Sequence, residues 1–70
     1  MKKIEIDGDE DDAIAIMRLA IRKGVPSSTI DHESSWLGGE YIKVNDKYEG
    51  VVEDAIKEYE ALKEKESQKI

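Results

Sequence analysis

The fold of this chain depends on residues 33–44, Glu33-Ser34-Ser35-Trp36-Leu37-Gly38-Gly39-Glu40-Tyr41-Ile42-Lys43-Val44. Paired glycines favour the tight turn of a β-hairpin, and here they separate two short segments. The second segment, residues 41–44, is extended in either interpretation, because it is β-branched and aromatic. The first segment has two interpretations. Residues 33–37 form either a strand paired with residues 40–44 or the end of a short helix, capped by Ser27 or Ser28 and ended by Gly38. We favour the hairpin.

Upstream of this stretch, the sequence predicts a strand followed by a helix with clear ends. Residues 2–6 alternate polar and apolar side chains, which is the period of a half-buried strand. The acidic segment 7–12 supplies capping side chains and negative charge ahead of a helix that runs to about Lys23. Gly24 can adopt the left-handed conformation that ends a helix, and Pro26 prevents its continuation.

The first helix is predicted to be apolar over much of its circumference. Its broad apolar face comprises Ala13, Ile14, Ile16, Met17, Ala20 and Ile21, with Leu19 beside it. A helix of this kind has to be covered on more than one side. In a chain this short, the cover comes from a sheet and a second helix or from a second copy of the protein. We expect a homodimer.

Downstream, residues 48–65 have the pattern of a long amphipathic helix. One stripe collects Tyr48, Val51, Val52, Ala55, Ile56, Tyr59 and Leu62. Residues 66–70 are expected to fray. The predicted architecture is therefore a single α+β domain over residues 1–70, with the order strand, helix, hairpin or short helix, strand and long C-terminal helix.

Composition limits the classes of function. The 70 residues carry 17 acidic and 11 basic side chains, for a net charge of -6. Because non-specific nucleic-acid affinity comes mainly from Lys and Arg, this balance disfavours DNA or RNA and favours a basic protein partner. The chain has no cysteine and one histidine, so we expect no structural zinc and no cofactor. It has neither a secretion signal nor a membrane-spanning apolar run, and we expect a soluble, cytoplasmic protein.

Two clusters carry residue types that are used in metal binding or catalysis. The acids at 7–12 resemble a calcium loop only superficially, because Asp12 stands where the loop needs glycine and Arg18 where it needs glutamate. We assign these acids to helix capping and predict no metal site. The second cluster consists of Asp31, His32, Ser34 and Ser35. Catalytic groups meet across a folded site rather than by adjacency in the chain, so we predict no catalytic residues and no enzyme.

Residues 19–30, Leu19-Ala20-Ile21-Arg22-Lys23-Gly24-Val25-Pro26-Ser27-Ser28-Thr29-Ile30, resemble the helix-turn-helix segment of many DNA-binding regulators. In that pattern a small residue such as Ala20 lets two helices approach, and Gly24 makes the turn between them. The resemblance implies a DNA-binding transcriptional regulator as the alternative function. By position, its base- or phosphate-contacting residues would be Ser28, Thr29 and His32.

The helix-turn-helix pattern is broken at two places. Lys23 stands where such motifs bury an apolar residue, and the second helix would carry Asp31 and Glu33, whose negative charge repels phosphates. One structural observation separates the two functions. A helix over residues 28–37 favours DNA binding, whereas a strand paired with residues 40–44 favours the interaction protein described next.

The remaining candidate residues lie around the paired glycines. Trp36 and Tyr41 would be cross-strand neighbours on a hairpin, and aromatic side chains beside a turn make good partner anchors. Glu33 and Glu40 would form a charged rim that attracts a basic partner. We therefore predict a small non-enzymatic interaction or regulatory protein that occupies the surface of another protein, as phage or mobile-element inhibitors do.

Overall fold

A computed structural model describes residues 1–67. Three strands form one sheet: β1 (Lys2–Ile6), β2 (Ile30–Ser34) and β3 (Glu40–Val44). Two helices, α1 (Glu10–Arg22) and α2 (Glu49–Ser67), complete the fold, and one-turn 3-10 helices precede β2 and α2. The strand order is β1-β3-β2, and both outer strands run antiparallel to β3. The predicted α+β class and element order are confirmed.

The hairpin between β2 and β3 forms, but its predicted register is wrong. Ser34 pairs with Glu40 and Ile30 with Val44, so β2 lies three residues upstream of the predicted strand. Residues 35–39 form the turn instead, because Gly38 and Gly39 both adopt positive φ angles, of 96° and 103°, which favour glycine and end the strand pairing.

Residues 27–29 form only a single 3-10 turn, and residues 30–37 are not helical, so the short-helix alternative is wrong and the second helix of the helix-turn-helix pattern is absent. Within β2, Ile30 is buried in the core, whereas Asp31 is exposed on the opposite face of the sheet. This alternation is expected for a strand that packs against the core on one face only. Residues 30–34 thus form the paired strand that was expected for an interaction protein and not the helix that was expected for a DNA-binding regulator.

The ends of α1 follow the sequence signals. Asp9 caps the helix, and its carboxylate accepts a hydrogen bond from the Asp12 backbone N–H while Asp12 accepts one from the Asp9 N–H. Gly24 has a φ of 114°, and the Val25 N–H reaches back to the carbonyl of Ala20. This is the Schellman arrangement, and the accompanying apolar residue, Val25, is buried.

The core lies between one face of the sheet and the two helices. Its buried residues are Ile6, Ala13, Ile16, Ala20, Val25, Ile30, Ile42, Val44, Val52 and Ala55. α1 packs against β2, β3 and α2. Much of the predicted apolar face of α1 is therefore covered within one chain, while its polar stripe remains exposed.

α2 reaches Ser67, two residues into the segment that was predicted to fray. The rest of that prediction, residues 68–70, lies outside the described residues. Neither α1 nor α2, as described, is long and apolar enough to cross a membrane.

Asp12 joins the start of α1 to the C-terminal half of α2. The Tyr59 hydroxyl donates to its Oδ1 at 2.5 Å and Lys63 Nζ lies 2.9 Å from the same atom. Only 13% of the Asp12 side chain is exposed. Hydrogen bonds from Tyr59, then Lys63, then the Asp9 backbone hold the pKa of Asp12 well below its ordinary value of 3.8. The same contact raises the pKa of Tyr59.

The lowered pKa of Asp12 predicts how the stability of the fold changes with pH. A carboxyl whose pKa is lower in the folded state stabilises the fold above its unfolded pKa, and this contribution is lost as pH falls through the folded pKa. Asp12→Asn should therefore lower the melting temperature at pH 7, and the difference from wild type should shrink steadily below about pH 4. Thermal melts from pH 7 to pH 2 test this. The matched control is Asp54→Asn, on an exposed position of α2. A difference that stayed constant with pH would contradict the assignment.

Candidate protein-interaction site at the hairpin tip

Three hydrogen bonds donated by backbone N–H groups hold the turn between β2 and β3. The Gly38 N–H donates to the Ser35 carbonyl at 3.0 Å, and the Ser35 N–H donates to the Gly39 carbonyl at 3.0 Å. The Leu37 N–H donates to Ser35 Oγ at 3.3 Å. These bonds make Trp36 and Leu37 the two central residues of a four-residue turn.

The turn presents two large apolar side chains to solvent. Trp36 is 91% exposed and Leu37 is 78% exposed, the two highest values among the exposed large hydrophobic residues of residues 1–67. Scattered single apolar residues on a surface need no explanation, but an adjacent tryptophan and leucine on a hydrogen-bonded turn form a small apolar prominence. We call these two residues the hairpin tip.

Acidic residues lie at the same end of the sheet as the hairpin tip. β1 ends at Ile6, opposite Glu40, so the chain that follows β1 leaves the sheet at the end where the turn lies. The exposed acids of this segment are Asp7, Asp9, Glu10 and Asp11. We call these four residues the acidic rim.

Tyr41 and Glu33 are brought together, but on the face of the sheet that no helix covers. They are direct cross-strand partners. Lys3 Nζ lies 4.7 Å from the centre of the Tyr41 ring and 3.3 Å from Glu33 Oε2. Lys43 Nζ lies 3.8 Å from the same oxygen. Because Tyr41 pairs with Glu33, the expected cross-strand contact between Tyr41 and Trp36 is wrong.

Glu40 lies on the opposite face from Tyr41, beside the helices. Its Oε2 lies 2.6 Å from His32 Nε2 and accepts a hydrogen bond from Ser34 Oγ at 2.5 Å. The Ser34 hydroxyl, followed by His32, lowers the pKa of the Glu40 carboxyl. Only 16% of the Glu40 side chain is exposed. Because His32 and Ser34 both contact this carboxylate, it contributes little negative charge to the solvent-exposed surface. Glu33 lies on the other face of the sheet, so the prediction that Glu33 and Glu40 form one charged rim is wrong.

His32, Ser34 and Glu40 have the residue types of a nucleophile, a base and an orienting acid. Their geometry is different from that of a catalytic triad, in which the acid and the nucleophile bind opposite nitrogens of the imidazole. Here Ser34 Oγ, at 3.4 Å, and Glu40 both lie beside Nε2. The contacts support a hydrogen-bonded cross-strand cluster.

The residues that the helix-turn-helix resemblance implied for DNA contact do not lie on one helix. Ser28 is exposed in the 3-10 turn before β2. The Thr29 hydroxyl donates to the Pro26 carbonyl at 2.8 Å. His32 lies in β2, against Glu40. The three residues therefore do not lie on one recognition helix of the kind that a helix-turn-helix protein inserts into the major groove.

No arrangement in residues 1–67 brings three or more His, Cys, Asp or Glu side chains together to hold a metal ion. Asp9 and Asp12 make the predicted capping contacts of α1, and Glu10 and Asp11 add negative charge to its first turn.

Sequence reasoning missed Leu37 and the acidic rim. The signal for Leu37 was its position beside Trp36 immediately before two glycines, which places both residues in the turn if the turn has four residues. The rim follows from the strand order: β1 and β2 both run antiparallel to β3, so both end where the turn lies, and no local sequence signal encodes that order.

Comparison with known proteins identifies no relative of this chain. No protein-family model, curated protein or solved structure matches the chain significantly.

Proposed function

We propose that this protein binds a basic surface of another protein through the hairpin tip and acts by occupying that surface. The observation that carries the proposal is the near-complete exposure of Trp36 and Leu37, at 91% and 78%. Exposing the large apolar surface of a tryptophan to water has an unfavourable free energy. Tryptophan is also among the residues that contribute most binding free energy when they are buried at an interface.

The backbone of the hairpin tip supports the proposal, because an anchor binds best when it is held in place before binding. Ser35 takes part in all three hydrogen bonds of the turn, and the strands on either side are fully paired. A preorganised turn loses little conformational entropy when a partner covers it.

Charge indicates the chemistry of the partner. The acidic rim lies at the same end of the sheet as the hairpin tip, and the whole chain carries a net charge of -6. Negative charge at the same end of the molecule as an apolar anchor accelerates association with a positively charged protein surface and disfavours nucleic acid. DNA binding stays a prediction from the sequence, without the second helix on which it was based.

A photo-crosslinking experiment tests the proposal. Benzoylphenylalanine replaces Leu37 in one variant and Lys57, on the exposed side of α2, in the control. The variant at position 37 should crosslink in cells to a protein with a basic surface, and Trp36→Ala in the same chain should abolish the adduct. Equal crosslinking from both positions, or an adduct that survives loss of Trp36, would exclude the hairpin tip as the binding surface. A nucleic-acid adduct would replace the proposal with DNA or RNA binding.

A further inference from the structure

The outward stripe of α1 has a distinct charge order. Asp11, Ala15, Arg18 and Arg22 are spaced four, three and four residues apart, so they lie along one side of the helix. Asp11, Arg18 and Arg22 are all exposed. The stripe is thus acidic near the N-terminus of α1, small in the middle and basic near the C-terminus.

Within residues 1–67, the two arginines of the stripe differ from most of the lysines in how they are paired. Arg18 and Arg22 are the only arginines of the chain. In residues 1–67 neither makes an ion pair or a hydrogen bond. The lysines that do form ion pairs are Lys2, Lys3, Lys23, Lys43 and Lys63. Two unpaired arginines on one helix, in a chain with excess acid, indicate a surface whose partner is outside the chain.

An apolar groove runs beside the stripe. It has a volume of about 260 Å³ and is lined by Ala15, Arg18, Leu19, Arg22 and Leu62. Leu62 projects from α2 and is 50% exposed. The groove therefore combines an apolar floor with two arginines at its margin, which is the composition of an interface centre rather than of a solvated helix face.

We propose that the occupant of this groove is α1 of a second copy, related to the first by a two-fold axis near Ala15. A two-fold axis perpendicular to the helices makes the two α1 stripes antiparallel. The acidic end of each stripe then faces the basic end of the other, so that Asp11 of one copy lies opposite Arg18 or Arg22 of the second. The charges of two stripes are complementary only in this antiparallel orientation, because a parallel arrangement would place like charges opposite each other.

Packing supports the same orientation. Ala15 has the smallest side chain on the stripe, and small side chains at the crossing point let two helices approach closely. Leu19 and Leu62 of each copy flank the crossing point and would be covered by the second copy. The net charge of -6 on each copy opposes association, but ions at physiological strength screen charges beyond roughly 8 Å and leave close pairs across the interface favourable.

Sedimentation of charge variants tests the interface. Wild type should sediment as a concentration-dependent dimer between about 10 and 200 µM, a range in which weak association becomes visible. Arg18→Glu with Arg22→Glu should weaken dimerisation at least tenfold, and so should Asp11→Lys, because each change places like charges opposite each other. Lys57→Glu alters the charge of α2 away from the stripe and should leave dimerisation unchanged. A monomeric wild type at the highest concentration would overturn the proposal.

Mixing the variants gives the outcome that only a self-complementary stripe produces. Asp11→Lys carries an all-basic stripe, and the double arginine variant carries an all-acidic one. Each alone should be mainly monomeric, whereas an equal mixture should form a heterodimer. Circular dichroism of each variant checks that α1 remains folded. A mixture that stays monomeric, or variants that dimerise as well as wild type, would overturn the interface.

This interface does not involve Trp36 or Leu37, although Asp11 belongs both to the stripe and to the acidic rim. Trp36→Ala should leave dimerisation unchanged, so a failure of partner capture and a failure of dimerisation are separate results.

Discussion

Replacing Ile42 by alanine is expected to remove a large part of the free energy of unfolding of this domain at 25 °C. Ile42 is 0% exposed at the centre of β3, the middle strand, where it pairs with Ile4. Truncating a buried isoleucine to alanine costs about 2–5 kcal/mol, because the cavity is only partly refilled. A domain of this size has roughly 4–10 kcal/mol in total. With a urea dependence of about 1 kcal/mol per molar, the unfolding midpoint should fall by about 2 M or more.

Two variants make the Ile42 result specific to burial. Ile42→Val removes one methyl group and should cost only about 0.5–1.5 kcal/mol. Leu37→Ala removes the same number of carbon atoms as Ile42→Ala, but from an exposed side chain, and should change stability by less than about 0.5 kcal/mol. Equal midpoints for Ile42→Ala and Leu37→Ala would show that the sheet face assigned to the core is wrong.

Replacing Trp36 by alanine is expected to weaken binding to the partner by at least about 2 kcal/mol, or roughly thirtyfold in Kd. Most of the loss should appear as faster dissociation, because a buried anchor acts after the encounter. The acidic rim acts earlier, so raising the salt concentration should slow association and leave dissociation almost unchanged. Surface plasmon resonance with the crosslinked partner measures both rates.

Control variants separate an anchor from a merely exposed side chain. Trp36→Phe keeps an aromatic ring at the turn and should recover part of the affinity, whereas Lys57→Ala should have no effect. Unfolding midpoints should be equal for wild type and Trp36→Ala, because the side chain is 91% exposed. Unchanged dissociation in Trp36→Ala would place the interface elsewhere on the molecule.

Local sequence signals predicted the elements of this fold well. Alternation marked β1, acidic caps and Gly24 marked the two ends of α1, and the glycine pair marked the hairpin. Each of these signals comes from residues within a few positions of one another, because strand alternation, helix capping and tight turns all depend on neighbouring residues. The same reasoning failed for the strand register, because a pair of glycines indicates a turn without fixing its length. Pairing Glu40 with Ser34 instead of Leu37 lengthens the turn and, since the shift is three residues, exchanges the two faces of the first strand.

The candidate site could be predicted only in part. Trp36 was identified from its residue type and position, and its exposure followed from the four-residue turn. Glu40 was misplaced although alternation puts it on the face of Ile42, opposite Tyr41. The contact of Asp12 with Tyr59 joins residues 47 positions apart, and no local pattern encodes such a contact. The arginine pair on α1 was visible in the sequence, but its lack of a partner among residues 1–67 was not.

The strand order has a consequence for the course of folding. β3 lies between β1 and β2, yet it follows both of them along the chain. During synthesis β1 emerges first and has no hydrogen-bonded neighbour until β3 is available. The hairpin closes from local contacts, whereas docking of β1 joins Ile4 to Ile42 across most of the chain, and such distant contacts form slowly. The sheet therefore assembles only after residue 44 has left the ribosome, so that a stalled nascent chain exposes β1 as an unpaired strand open to association with other chains.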